Sequence, residues 1–178
     1  NAWLFFVSLF FYWKTSGLFV GLLLFAVVMD YFLGQWSSRT NDQTRKRWIL
    51  ATSVSINLSL LGFFKYAHFV VDNINGLFNT TFQPVNYFAH WANLAWDAHF
   101  VENKILLPVG ISFYTFHGIS YTFDVYRRDI EPAKSLLDFA VFVAFFPQLV
   151  AGPIGRAHIQ LPQFENERAP LRAEQVRS

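Results

Sequence analysis

The chain has 178 residues, of which 53% are hydrophobic, 20% aromatic and only 15% charged, with a mean hydropathy of +0.27. Twenty-two Phe and six Trp cannot all be hidden in one core of this size, so a soluble monomer is all but excluded and the bilayer is the expected solvent. The absence of Cys removes disulfides, thiolate zinc sites and cysteine nucleophiles, and a net charge of +2 is too small to indicate nucleic acid.

Residues 1–13 are uncharged but short, either a clipped span or one arm of a hairpin. Residues 15–29 are also uncharged and continue through Asp30 to Gly34, with Tyr31 and Trp36 as interfacial aromatics, which predicts a membrane span. The next apolar segment, Trp48 to Phe64 and on to about Val71, carries Ser53, Ser55, Asn57 and Ser59 and is expected to pack against protein. Residues 72–104 form an outer connection. Within it Tyr87, Phe88, Trp91, Leu94 and Ala95 share one helical face and Asn86, His90, Asn93 and Asp97 the other, predicting an amphipathic helix over 85–98, lying in the interface or packed on the bundle end. Residues 105–123 lack charge but are interrupted by Pro108 and two glycines, and 139–155 are broken by Pro147, Gly152 and Pro153. Broken helices at membrane depth are tolerated only where the freed backbone is buried in protein or faces water. The expected fold class is all-α: a polytopic transmembrane helical bundle with about four or five hydrophobic segments.

Short cytoplasmic loops are enriched in Lys and Arg. Arg39, Arg45, Lys46 and Arg47 lie between the second and third segments, and Arg127, Arg128 and Lys134 follow the fourth, so both stretches are expected on the cytoplasmic side. The polar tail, 156–178, carries Arg156, Arg168, Arg172 and Arg177, which requires segment 139–155 to re-enter the membrane if the tail is cytoplasmic too. The chain starts without Met and ends in that tail at Ser178, as expected for a piece of a longer protein.

Ionisable groups at membrane depth mark candidate sites. Asp30 is one turn from Gly34, where anchoring at the headgroups or pairing with a basic residue is expected. Ser53, Asn57, Lys65 and His68 form a polar stripe suited to hydrogen bonding between helices, with Lys65 snorkelling. Gly110, Tyr114, His117, Tyr121, Asp124 and Arg128 recur at three- and four-residue spacing, a polar and aromatic face suited to lining a passage. His117 is a candidate general base there, although no acid or nucleophile stands at a diagnostic spacing and a histidine satisfied by a neighbouring helix is the alternative. Gln148 and the turn Gly152-Pro153-Ile154-Gly155-Arg156 bring exposed backbone and a cation together near a phosphate or carboxylate, or else form a plain interfacial turn. The five histidines are scattered and no metal-binding set is expected.

Longer words carry more. Leu107-Pro-Val-Gly-Ile-Ser-Phe-Tyr-Thr-Phe116, Ser120-Tyr-Thr-Phe-Asp-Val-Tyr-Arg127, Phe145-Phe-Pro-Gln-Leu-Val-Ala-Gly-Pro-Ile154, Arg156, Leu161-Pro-Gln163, Leu61-Gly-Phe-Phe-Lys-Tyr66 and Asp30-Tyr31 resemble the membrane-bound O-acyltransferase family, in its bacterial alginate O-acetyltransferase branch. The resemblance implies a multi-pass protein of the bacterial inner membrane, whose helices ring a tunnel. It implies transfer of an acyl group, acetyl by expectation, from cytoplasmic acetyl-CoA to an exported polysaccharide such as alginate or to a periplasmic acetyltransferase partner. The donor is a substrate and no bound cofactor is implied; the expected partners are the lipid bilayer, the donor and the acceptor, with no nucleic acid. The family's catalytic His follows a motif resembling Gly152-Pro153 and is expected beyond Ser178. Residues 1–178 are therefore expected to be the N-terminal part of one acyltransferase domain, inactive alone. Candidates for lining the substrate tunnel are Lys65, Tyr114, His117, Tyr121, Asp124, Gln148, Gly152, Pro153 and Arg156, with Gln148 and Arg156 on the donor side. A transporter or channel subunit and a non-catalytic scaffold of a polysaccharide export complex are the competing classes.

Overall fold

Where water is scarce, every backbone N–H and C=O must find a partner within the chain, and a helix is the local way to do so. The computed structural model describes residues 1–82, 90, 93–94, 107–152 and 156–165, and these are helical with no strand. Helix α1 (Ala2–Ser16) passes through a 3-10 turn at Gly17–Phe19 into α2 (Val20–Arg39). Gly17 makes the junction possible: its φ of +57° favours glycine, and its N–H bonds back to the Trp13 carbonyl. The first two apolar segments are therefore one helical run of 38 residues.

Helix α3 (Gln43–Phe78) follows after only three residues, capped by Asp42, whose side chain accepts the Thr44 N–H at 2.9 Å. Arg45, Lys46 and Arg47 thus sit in its first turns and not in a loop. Helix α4 (Ile111–Arg127) starts at Gly110, φ +73°, and ends at Arg128, φ +65°. The Arg128 N–H bonds to Val125 O at 3.1 Å and the Asp129 N–H to Asp124 O at 2.9 Å, closing the last turn. Ser135 caps α5 (Leu136–Ala144) by accepting the Leu137 N–H at 3.1 Å. The chain leaves helical geometry at Phe145 and resumes as α6 (Phe146–Ala151), with Pro147 in its first turn, because proline cannot continue the preceding helix. Helix α7 is Ala157–Glu165.

Helix α4 packs along α2 and α3, while α5 packs against α1, α2 and α7. Tyr12, Leu23, Val27, Ile111, Tyr121 and Phe139 are central to the core. Trp3 and Phe6 on α1, Phe32 and Trp36 on α2, and Trp48 and Phe69 on α3 stand more than half exposed, an apolar exterior suited to lipid. Among the described residues two runs, 2–39 and 43–78, are long and apolar enough to cross a membrane. Segment 139–155, expected as one interrupted apolar segment that either crosses or re-enters the membrane, is two short helices over its described part. Residues 72–78, expected to open the outer connection 72–104, instead continue α3. Of the amphipathic helix expected over 85–98 only His90, Asn93 and Leu94 are described, each helical, and the rest lies outside the described residues. So do Pro153 and most of the tail 156–178, including Ser178, beyond which the family's catalytic His is expected.

Candidate functional site

Three helices meet at a buried carboxylate. Asp30 of α2 is 1% exposed, and its Oδ1 accepts the Ser53 hydroxyl at 2.7 Å and the Asn57 amide at 2.9 Å, while Oδ2 accepts the same amide at 3.1 Å. Ser53 and Asn57, one turn apart on α3, present these donors side by side. Thr122 of α4 joins through its hydroxyl, 3.1 Å from that of Ser53. Gly118, one turn before Thr122, leaves the notch into which Asp30 fits. The expected anchoring of Asp30 at the headgroups is overturned: the notch draws it inward, and its partners are neutral donors with no basic residue among the described ones. The α3 stripe divides, since Ser53 and Asn57 bond between helices whereas Lys65 and His68 are exposed at its far end, with Lys65 Nζ 5.4 Å from the Tyr66 ring.

The α4 face bearing Tyr114, His117 and Tyr121 is also sealed, each residue being at most 1% exposed. Tyr121 packs against Gly34 and, at 4.3 Å between centroids, Phe139; its hydroxyl accepts the Ala133 N–H at 3.1 Å. His117 lies against Phe142, with its Nε2 3.2 Å from the Gln148 amide nitrogen, which also donates to Gln160 at 2.8 Å. The amide thus meets the imidazole at Nε2, while Nδ1 has no hydrogen-bond partner among the described residues. Gly152 packs onto Gln148. His117, Gln148 and Gln160 therefore form a chain linking α4, α6 and α7.

The opposite face of α4 opens. Phe116, Ser120, Phe123 and Arg127, with Asp124 at its edge, form one wall of a cleft of about 510 Å³, closed by Asp129, Arg156 and His158. Ser120 Oγ accepts the Ala157 N–H at 3.2 Å and Asp124 Oδ2 accepts the His158 N–H at 3.3 Å, so two α4 side chains one turn apart cap α7 across the tertiary contact. Asp124 Oδ2 also lies 3.4 Å from His158 Nδ1, an arrangement that orients the imidazole and leaves Nε2 for another partner. Arg127 pairs with Asp129 at 3.1 Å and lies 5.7 Å from the Phe123 ring, whereas Arg156 is exposed with no partner among the described residues. An oriented imidazole, guanidinium groups and phenyl walls can hold a molecule that is anionic at one part and apolar at another.

Among the expected tunnel residues, the structure brings Asp124 and Arg156 into this cleft, and Tyr114, His117, Tyr121, Gln148 and Gly152 lie away from its walls. Lys65 stands apart on α3, and Pro153 lies outside the described residues. Ser120 and His158 were missed as site residues. The four-residue spacing of Ser120 and Asp124 was visible, but His158 is 34 positions from Asp124 and only folding unites them.

The chain is 39% identical to a probable alginate O-acetylase of Azotobacter vinelandii over 87% of this chain and 28% of that protein. It is 43% identical to a probable alginate O-acetylase of Pseudomonas aeruginosa over 82% of this chain and 26% of that protein. A peptidoglycan O-acetyltransferase of Helicobacter pylori is 32% identical over 94% of this chain and 33% of its own length. The chain thus spans about a third or less of the curated relatives it matches. No protein-family profile and no solved structure matches it.

Proposed function

Because the chain belongs to the membrane-bound O-acyltransferase family, in its alginate O-acetylase-like branch, we propose that the protein containing it moves an acetyl group to a hydroxyl of an exported polysaccharide. The identity to named O-acetyl-transferring relatives along most of the chain carries this reading. In it, the helices belong to a multi-pass bundle of the bacterial inner membrane that rings a tunnel. Cytoplasmic acetyl-CoA is the donor, and alginate or a periplasmic acetyltransferase partner is the acceptor. The reaction breaks the thioester C–S bond and forms an ester C–O bond, with the hydroxyl proton leaving on the thiol. The reacting histidine comes from the remainder of the protein, past Ser178, and this chain receives the donor: Arg156 contacts its anionic part, and His158, oriented by Asp124, hydrogen-bonds an oxygen of it from the cleft.

The test supplies the protein that carries this chain, folded in detergent, with radiolabelled acetyl-CoA, the polysaccharide and the periplasmic partner. Label is expected in a base-labile ester on the polysaccharide or the partner. A folded sample that labels neither would remove acetyl transfer and leave a scaffold in its place.

A further inference from the structure

One end of the bundle is built from the close of α2, the start of α3 and the close of α4. The link between α2 and α3 is three residues long, and Gln43 Nε2 donates to the Tyr126 hydroxyl at 2.9 Å, which brings in α4. At this end a hollow of about 370 Å³ is bordered by Ser38, Lys46, Val125, Arg128, Asp129 and Glu131, among others. Lys46 is 3% exposed, yet its ammonium makes no hydrogen bond or ion pair among the described residues. The stem of Lys46 is buried and its ammonium opens onto the hollow, where only a neighbouring acid or an acceptor entering from outside can meet it. The acids at hand do not: Asp129 is taken by Arg127 at 3.1 Å, and Glu131 is not within ion-pair reach of Lys46. Arg128, held in the left-handed region by the closing turn of α4, borders the same hollow.

We propose that this hollow is a phosphate-binding site, with Lys46 as its buried anchor and Arg128 as its outer clamp. A phosphate offers several oxygens to a three-donor ammonium and a forked guanidinium together, and it neutralises the charge that Lys46 otherwise carries unpaired. The volume leaves room for a diphosphate. Two sources share this chemistry: an anionic lipid headgroup at the membrane surface and the phosphates of a soluble molecule. Asp129 borders both this hollow and the cleft beside His158. A soluble donor carrying more than one phosphate could therefore place one phosphate here and run into the cleft with another against Arg156, an extension that rests on the acyltransferase reading, whereas the phosphate site does not.

The protein that carries this chain is reconstituted in nanodiscs of neutral phosphatidylcholine and titrated with inorganic pyrophosphate, following melting temperature and phosphorus NMR; a second arm uses discs doped with phosphatidylglycerol. The expected result is stabilisation of the wild type by at least one of these, with at least tenfold weaker binding in Lys46→Met. Arg128→Asn, which suits the left-handed position, should bind more weakly as well. Lys14→Met, at the end where Val109 N–H bonds Ser16 and α4 begins, should bind as the wild type does. A pyrophosphate response assigns the soluble source and a response to phosphatidylglycerol alone assigns the headgroup. Without ligand, Lys46→Met should melt no lower than the wild type, since it keeps the buried stem and removes a charge that has no partner among the described residues. The proposal is overturned if neither probe distinguishes wild type from Lys46→Met, or if Lys46→Met and Glu131→Gln lower ligand-free stability equally, which would show that the two residues pair.

Discussion

Gly118 faces the Asp30 carboxylate across the contact of α4 with α2, with no room for a methyl group between them. Helix propensity alone favours alanine over glycine by about 0.5–1 kcal/mol. Overpacking opposes it with about 1–3 kcal/mol, to which loss of the carboxylate's hydrogen bonds adds. Gly118→Ala should therefore melt lower than the wild type in detergent. Gly62, with open space where its Cβ would be, supplies the control, and Gly62→Ala should melt at or slightly above the wild type.

Asp30 and Asn57 should not behave as independent sites. Asp30→Ala takes the carboxylate from the Ser53 hydroxyl and the Asn57 amide and leaves them only the Thr122 hydroxyl and the Ser53 carbonyl, a loss of about 1–3 kcal/mol. Asn57→Ala removes the same bonds from the other side. In chemical or thermal unfolding the double variant should lose clearly less than the sum of the single losses; strict additivity would mean that the pair does not interact.

The two buried tyrosine hydroxyls of α4 predict opposite outcomes. Tyr121→Phe leaves the Ala133 N–H without its partner and should destabilise by about 1–3 kcal/mol, although the ring still fills its place against Phe139. The Tyr114 hydroxyl is buried beside that of Tyr12 on α1, and neither makes a well-formed hydrogen bond among the described residues. Tyr114→Phe should then be neutral or stabilising, and paired melting curves compare the two directly.

The capping of α7 by α4 predicts local loosening. Ser120→Ala and Asp124→Ala each remove one acceptor from the first N–H groups of α7, at about 0.5–2 kcal/mol by analogy with N-cap deletions. Hydrogen exchange at Ala157 and His158 should accelerate while amides in the middle of α3 keep their protection.

Arg156 is exposed and unpaired among the described residues, so Arg156→Ala should leave the melting temperature unchanged. In the acetyl-transfer assay it should raise KM for acetyl-CoA severalfold with little change in kcat, as expected for loss of a contact equally present in ground and transition states. An unchanged KM would take Arg156 out of donor binding.

Much of this was legible before folding. Helical spacing put Tyr114, His117 and Tyr121 on one face of α4, and the structure keeps them there. Their spacing did not show whether that face meets water or protein. Phe139 and Phe142 of α5 cover it, and those contacts come from residues 18 to 25 positions away. Likewise Ser53 and Asn57 announced hydrogen bonding between helices, but Asp30 as their acceptor depends on the notch that Gly118 opens in a third helix.

From the order of residues alone came the helical class, the unsuitability for water and the resemblance in words to membrane acyltransferases, because composition and local periodicity are properties of neighbours in the chain. The union of His158 with Asp124, the inward turn of Asp30 and the burial of Lys46 beside a hollow were decided only by folding. Each depends on which distant side chain occupies, or leaves empty, the space next to a polar group, and in a low-dielectric interior that neighbour determines whether the group anchors the fold or awaits a ligand.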